Sequence, residues 1–193
     1  MIDPNNITNY NRTQAELEEF LLFAIVVAGK NSKVQAQKLN EYLNISTRAD
    51  NTPFKAIQND CHYGTLDTYL RSVKLGQYNR LIKTFHQVMI QNQVKPLNDW
   101  GFSDLVQIDG IGPKTANFFL LHSQEDYNEA VLDTHILKWI RSLGYDKAPI
   151  STPNDPKKYR MWNMTFKHLA KTLYPHLTLA EADLKIWTQY NKS

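Results

Sequence analysis

The sequence predicts an all-α fold, and three observations carry that prediction. Apolar residues recur at helical spacing through most of the chain, as in Leu17, Phe20, Leu21, Ala24 and Ile25. Helix-start signals stand in front of these runs, among them three capping boxes. Alternating runs joined by hairpin dipeptides are absent, and the 7 glycines and 8 prolines fall between the periodic segments.

The elements follow in order. Thr13-Gln14-Ala15-Glu16 is a capping box: the threonine hydroxyl satisfies a first-turn amide and the glutamate returns the bond. Ser32-Lys33-Val34-Gln35 reads as a second box, ahead of Leu39 and Leu43. Thr52-Pro53 opens a short helix through Ile57, because proline has its φ preset for the first helical position. Thr65 to Val73 reads as another helix. Gln77 to Gln91 places Leu81, Ile82, Phe85, Val88 and Met89 on one face. Ser103 is expected to start a helix that ends in a glycine turn, and Pro113 to open the next. Asp133 reads as the N-cap of a run through Trp139. Asp155-Pro156 starts a long helix reaching Tyr174, with Trp139, Trp162 and Phe166 as expected core. Thr178-Leu179-Ala180-Glu181 is the third box and opens the last helix. Nine or ten helices result, with no internal repeat and no low-complexity tract.

Composition bounds the function. A chain of 193 residues is long enough to bury a real core, as one domain or two small lobes. A net charge of +3 and a pI of about 8.8 suit a polyanionic partner without demanding one. The single cysteine, Cys61, excludes an intramolecular disulfide and points to a reducing compartment. The longest apolar run, Phe20 to Gly29, is of helix-core length, and no signal peptide is visible. A soluble intracellular protein is expected, cytoplasmic or associated with the nucleoid, without membrane contact. The 6 histidines form no His-x-x-x-His pair, which argues against a zinc hydrolase, and no metal site is expected.

The chemistry concentrates in Gln107-Ile108-Asp109-Gly110-Ile111-Gly112-Pro113-Lys114-Thr115-Ala116-Asn117, followed by Val131-Leu132-Asp133-Thr134-His135-Ile136. Ile108 and Ile111 flank the turn and suit the core. Gly110 and Gly112 are both free to take φ > 0 and to leave their amides bare. Such amides, feeding a helix N-terminus, attract phosphate. Lys114 lies in the first turn of that helix. A helix N-terminus opposes positive charge, and a nucleophilic lysine acts through its free amine. Asp133, 19 positions further on, brings a carboxylate to the start of the next helix.

At these residues the chain resembles the helix-hairpin-helix DNA glycosylase superfamily. Gly110 to Ala116 is similar to the hairpin of the lysine-bearing, bifunctional members, and Val131 to His135 to their aspartate segment. The resemblance extends from about Leu17 to Trp187, closest over the central forty residues. Endonuclease III-type members carry a four-cysteine iron–sulfur cluster, which the single Cys61 cannot build. The sequence therefore resembles the short, cluster-free 8-oxoguanine glycosylases. Ser151-Thr152-Pro153 with Lys157-Lys158-Tyr159, and Ala182 to Trp187, are also similar to that branch.

The resemblance implies one glycosylase domain over 1–193, with the helix-hairpin-helix at about 103–122 between two helical lobes. Duplex DNA would lie across their cleft, and the last helices would join the first to complete one lobe. It implies Lys114 as nucleophile and Asp133 as the stabiliser of positive charge on the sugar, with no cofactor. Gly110 and Gly112 would hold a phosphate and His135 would face DNA. The Ala28-Gly29-Lys30-Asn31 junction would supply Lys30 or Asn31 to fill the gap left by a flipped base. Asp183 and Trp187, one turn apart, would offer that base a polar atom and a ring. Lys33, Lys38, Arg71, Lys74 and Arg80 are candidates to track phosphates. The implied partner is damaged duplex DNA, bound by a monomer, and the implied lesion is 8-oxoguanine.

Each residue has a plainer reading. Lys114 would be an ordinary solvated lysine, Asp133 only a cap, His135 structural, Trp187 core, and Gly29 a C-cap ahead of a polar turn. At the level of function the alternatives are a glycosylase/lyase for oxidised pyrimidines and a non-catalytic helix-hairpin-helix DNA-binding protein. A water-using glycosylase is disfavoured because such members lack the lysine.

Overall fold

The computed structural model describes residues 1–46 and 52–190. Among them are ten α-helices: α1 (Gln14–Val26), α2 (Ser32–Ser46), α3 (Pro53–Tyr63), α4 (Leu66–Ser72), α5 (Tyr78–Val94), α6 (Phe102–Val106), α7 (Pro113–Leu121), α8 (Thr134–Ser142), α9 (Pro156–Leu173) and α10 (Leu179–Tyr190). A 3₁₀ turn, Leu97–Asp99, precedes α6. The described residues contain no strand.

Two of the three expected capping boxes form. The Thr13 amide donates to Glu16 at 2.8 Å and Glu16 returns its amide to the Thr13 hydroxyl. Thr178 and Glu181 do the same, at 2.7 and 3.2 Å. The Ser32 box does not form. Asn31 caps α2 instead, its side-chain oxygen accepting the Val34 amide at 3.1 Å, because an Asn oxygen reaches the same orphan donor from one residue earlier. Ser103 does not start α6 either: that helix begins at Phe102, where Asp104 reaches back to the Gly101 amide at 2.8 Å. α3 runs past Ile57 to Tyr63 and closes on Gly64 in the left-handed region.

The helices pack around two cores. The first takes in α1 to α7, with Phe20, Phe23, Tyr42, Phe85, Trp100 and Phe119 almost fully buried. α1 is its axis: every residue from Phe20 to Val26 is buried, so the C-terminal half of this helix has no solvent face. The second core joins α8, α9 and α10 through Trp139, Trp162, Phe166 and Ile186. The expectation that the last helices complete the lobe of the first is thus corrected. α9 and α10 present their apolar faces to the stripe of α8, while α1 is already surrounded by its own lobe.

The N-terminal segment before α1 runs back over the molecule. The Arg12 guanidinium donates to the carbonyls of Ile7, Asn9 and His122, and stacks 3.9 Å from the Phe20 ring centroid. Burial lowers its affinity for a proton to a pKa of about 10. Ile7 is buried, so this strap belongs to the folded body.

Candidate active site

The turn between α6 and α7 is set by α5. The Gln87 amide side chain pairs with Asp109 twice: its oxygen accepts the Asp109 amide at 2.6 Å and its nitrogen donates to the carboxylate at 3.0 Å. Lys83 lies 2.7 Å from the same carboxylate and, with Gln87, holds the Asp109 carboxyl below the usual range. The Thr84 hydroxyl donates to the Asp109 carbonyl at 2.6 Å. Arg80 donates to the Gly110 carbonyl at 3.0 Å and to the Ile25 carbonyl of α1 at 2.9 Å. Arg80 is thus an internal strut rather than a residue tracking phosphates. Arg71 pairs with Asp67, and Lys38 with the Lys74 carbonyl.

The two hairpin glycines differ. Gly110 has φ of +90°, and a Cβ there would meet the Thr84 hydroxyl oxygen at 2.4 Å. Gly112 does not take φ > 0: at φ −90° and ψ 175° it is the extended N-cap of α7, as a residue entering a helix must be. Space is open around a Cβ at Gly112. At Gly110 the missing side chain makes room for α5, not for an approaching phosphate. Gly110→Ala is therefore expected to destabilise the fold by about 1–3 kcal/mol through backbone strain alone. Adding Thr84→Ala to that variant should restore only the part due to contact. Denaturant melts of wild type and the two variants measure this, and a Gly110→Ala midpoint equal to wild type would contradict it.

Pro113 opens α7 and puts the half-buried Lys114 in its first turn, with the amine 5.9 Å from the Phe118 ring centroid. Asp133 caps α8. One carboxylate oxygen, Oδ1, accepts the amides of His135 and Ile136, both at 2.9 Å. Oδ2 is left for another partner, on a side chain that is buried.

The loop into Asp133 is fastened by side chains from two helices. Asn117 of α7 donates to the Ala130 carbonyl at 3.2 Å and to the Tyr159 hydroxyl at 2.9 Å. That hydroxyl donates to the Ala130 carbonyl and accepts the Leu132 amide. Asn163 of α9 accepts the Ala130 amide at 2.9 Å and donates to Glu129. Thr152 donates to the Leu132 carbonyl at 2.6 Å. A loop in a dry place must satisfy its backbone groups somehow, and here side chains replace a ladder. Burial pushes the Tyr159 phenol up to about 12, so it keeps its proton and its donor role. Tyr159→Phe strands the Leu132 amide and leaves the Ala130 carbonyl with Asn117 alone. The expected loss is about 1–3 kcal/mol of stability by chemical denaturation, and a neutral variant would exclude this tether.

A cavity of about 510 Å³ opens between the two cores. Lys114, Asp133, His135, Asp183, Trp187, Lys30 and Asn31 all line it. Residues more than 150 positions apart thus share one wall, and only the hairpin glycines of the expected set lie outside. Trp187 is half-buried and stands edge-on to His135 with centroids 6.0 Å apart, so it is a wall of the cavity rather than core. His135 sits with Nδ1 3.1 Å from the Tyr190 carbonyl, which can only accept, so Nδ1 carries the proton. Of the lining pair Lys30 and Asn31, the amine of the first and the side-chain oxygen of the second are already engaged. The Lys30 amine donates to the Leu75 carbonyl, and Asn31 is the cap of α2.

No protein-family model matches the chain. In three dimensions it is similar to the crystal structure of the Methanocaldococcus jannaschii 8-oxoguanine glycosylase/lyase in complex with a 15mer DNA containing 8-oxoguanine. The TM-score is 0.70 at 21% sequence identity, over 95% of this chain and 84% of that one. The fold is the helix-hairpin-helix glycosylase fold. Within that fold the hairpin is α6, the Asp109–Gly112 turn and α7, and the cavity lies where α7, α8 and α10 converge with α1.

Several lining residues of this glycosylase fold escape the sequence reading. Phe118 is one helical turn beyond Lys114, so the spacing alone was a usable signal. Phe23 and Val27 of α1, and Pro4 and Ile7 of the strap, carry no such signal. Their place depends on how α1 and the strap cross α7. His122, fully buried behind the cavity, is likewise invisible in sequence. Among the described residues no three of His, Cys, Asp and Glu group as a metal ion requires.

Proposed function

We propose that this protein is a bifunctional DNA glycosylase and abasic-site lyase of the helix-hairpin-helix superfamily, acting as a monomer inside the cell on damaged duplex DNA. Its substrate base is 8-oxoguanine. The observation that carries the reading is the meeting of the Lys114 amine and the Asp133 carboxylate in a single cavity beside an aromatic wall. A helix-hairpin-helix module that only binds DNA needs neither member of that pair. The M. jannaschii glycosylase/lyase of the same fold, crystallised with 8-oxoguanine DNA, supports the choice of base.

The chemistry follows from the residues. A target base must leave the stack to reach a cavity of this depth. Lys114 as free amine forms a bond to C1′ while the bond from C1′ to the base breaks, and the base leaves with the electron pair and takes up a proton. Positive charge grows on the sugar during this step, and the Asp133 carboxylate stabilises it at short range. After the sugar ring opens, the lysine adduct becomes a protonated Schiff base. This acidifies the 2′ proton, whose loss expels the 3′ phosphate. Trp187 supplies a face for stacking, His135 and the open N-cap at Gly112 meet phosphate, and Lys30 or Asn31 stands where a displaced base leaves a gap. No cofactor takes part.

The test is excision from matched duplexes carrying 8-oxoguanine, thymine glycol, dihydrouracil or a G·T mismatch, with borohydride trapping on each. Fastest release of 8-oxoguanine together with a trapped adduct is the expected result. Faster release of an oxidised pyrimidine would change the substrate and leave the mechanism standing. Duplex binding without release or trapping would leave a binding module.

A further inference from the structure

Behind the cavity lies a polar chain that the mechanism above does not use. His122, at the end of α7, has no exposed surface. Its Nδ1 is 2.8 Å from the Thr8 hydroxyl on the N-terminal strap, and its Nε2, which has no formed hydrogen bond, lies at an ion-pair distance of 3.5 Å from Oδ2 of Asp183 on α10. Asp183 is itself 5% exposed and lines the cavity. Its second oxygen, Oδ1, is buried with no hydrogen-bond partner. An orphaned buried carboxylate oxygen is costly, and this one belongs to a residue of the cavity wall, just beneath its surface.

We infer that His122, held by Thr8, is a positioning residue for Asp183, turning its free Oδ1 into the hydrogen-bond acceptor on the cavity wall for an N–H edge of the flipped base. This rests on the glycosylase reading above.

The proton count explains why a histidine stands there. While His122 and Asp183 share one ionisable proton between Nε2 and Oδ2, Oδ1 has only lone pairs to offer, whichever atom holds the proton. With Nδ1 giving its proton to Thr8, a second proton taken up by the pair finds its free place at Oδ1, and the acceptor becomes a donor. Burial raises the Asp183 carboxyl, while His122 acts against that rise. The other groups bearing on the pair are Asp133 and Lys114, of opposite effect on Asp183, the Tyr159 hydroxyl on α9, and Arg12, which binds the His122 carbonyl.

The sign of the pH effect follows. Base release should fall on the acid side as the pair gains its second proton. Without the imidazole, Asp183 takes up its proton at higher pH, so the acid limb should move upward. Thr8→Val should move the limb in the same direction by less. Asp183→Asn should remove this limb, since the side chain no longer titrates.

The experiment is single-turnover base release from pH 5 to 9 for wild type, His122→Asn, Thr8→Val and Asp183→Asn. Cleavage of a preformed abasic site, which has no base to bind, is followed in parallel. The expected result is a displaced acid limb for base release, with abasic-site cleavage reduced far less. Because His122→Asn risks misfolding, Thr8→Val carries the test on a conservative change near the surface. A limb unmoved in both variants, or base release and abasic-site cleavage falling together, would overturn the relay. A wild-type protein that cleaves abasic sites but releases no base would instead overturn the glycosylase reading on which the relay rests.

Discussion

Lys114→Gln is expected to abolish the borohydride-trapped adduct and to lower base release at least about a thousandfold, as loss of a nucleophile would. Binding to damaged duplex stays within about tenfold of wild type, a change of about 1.4 kcal/mol. The asymmetry comes from the site. The Lys114 amine makes only weak contacts with the protein, over the Phe118 ring and through space with the Asp183 carboxyl, so its removal costs the fold little. The cavity walls come from other helices and remain. Trapping gels, single-turnover excision and a binding titration on the same duplex measure the three quantities. A variant that still traps normally would exclude Lys114 as nucleophile. Equal loss of binding and excision would make it a phosphate contact.

Asp133→Asn is expected to lower base release about 10²–10³-fold with little change in melting temperature. The two roles of Asp133 separate cleanly on its two oxygens. Oδ1 accepts the His135 and Ile136 amides, and an asparagine oxygen accepts them as well. The negative charge is what the amide lacks. Asp133→Ala removes both functions and should lower stability and excision together. Turnover per folded molecule, taken with thermal melts of both variants, checks this. Unaltered excision in Asp133→Asn would reduce Asp133 to a cap.

Much of the helix pattern was legible because its causes are local. Thr13 with Glu16, Thr178 with Glu181, Thr52 before Pro53 and Asp155 before Pro156 each satisfy orphan amides within one turn. The errors have the same scale. Asn31 and Ser32 compete for one donor, and the longer side chain wins from the earlier position. Gly101 caps α6 with no side chain, because Asp104 does the work from inside the helix. The hairpin glycines were expected to behave alike. Their difference depends on α5, which presses on Gly110 and leaves Gly112 open.

The site was legible in part for a related reason. Lys114 and Asp133 sit in a compact motif whose spacing is a chain property, and Asp183 with Trp187 share one helical face. That these four meet in one cavity is a property of how α7, α8 and α10 cross. His122 and the strap carry no motif, yet they close that cavity from behind.

The sequence by itself determined the all-α class, nearly every helix, the caps of α1, α3, α8, α9 and α10, and the lysine and aspartate on which the chemistry would turn. Those features depend on residues within a turn of each other, where hydrogen-bond reach and helical period decide the outcome. Tertiary structure alone decided that α9 and α10 pack with α8, that Arg80 is a strut, that Trp187 is a wall and that Asp183 keeps an unpaired oxygen. These depend on burial, which is set by what covers a residue from elsewhere in the chain. A buried polar atom, unlike an exposed one, has no water to make up for a missing partner.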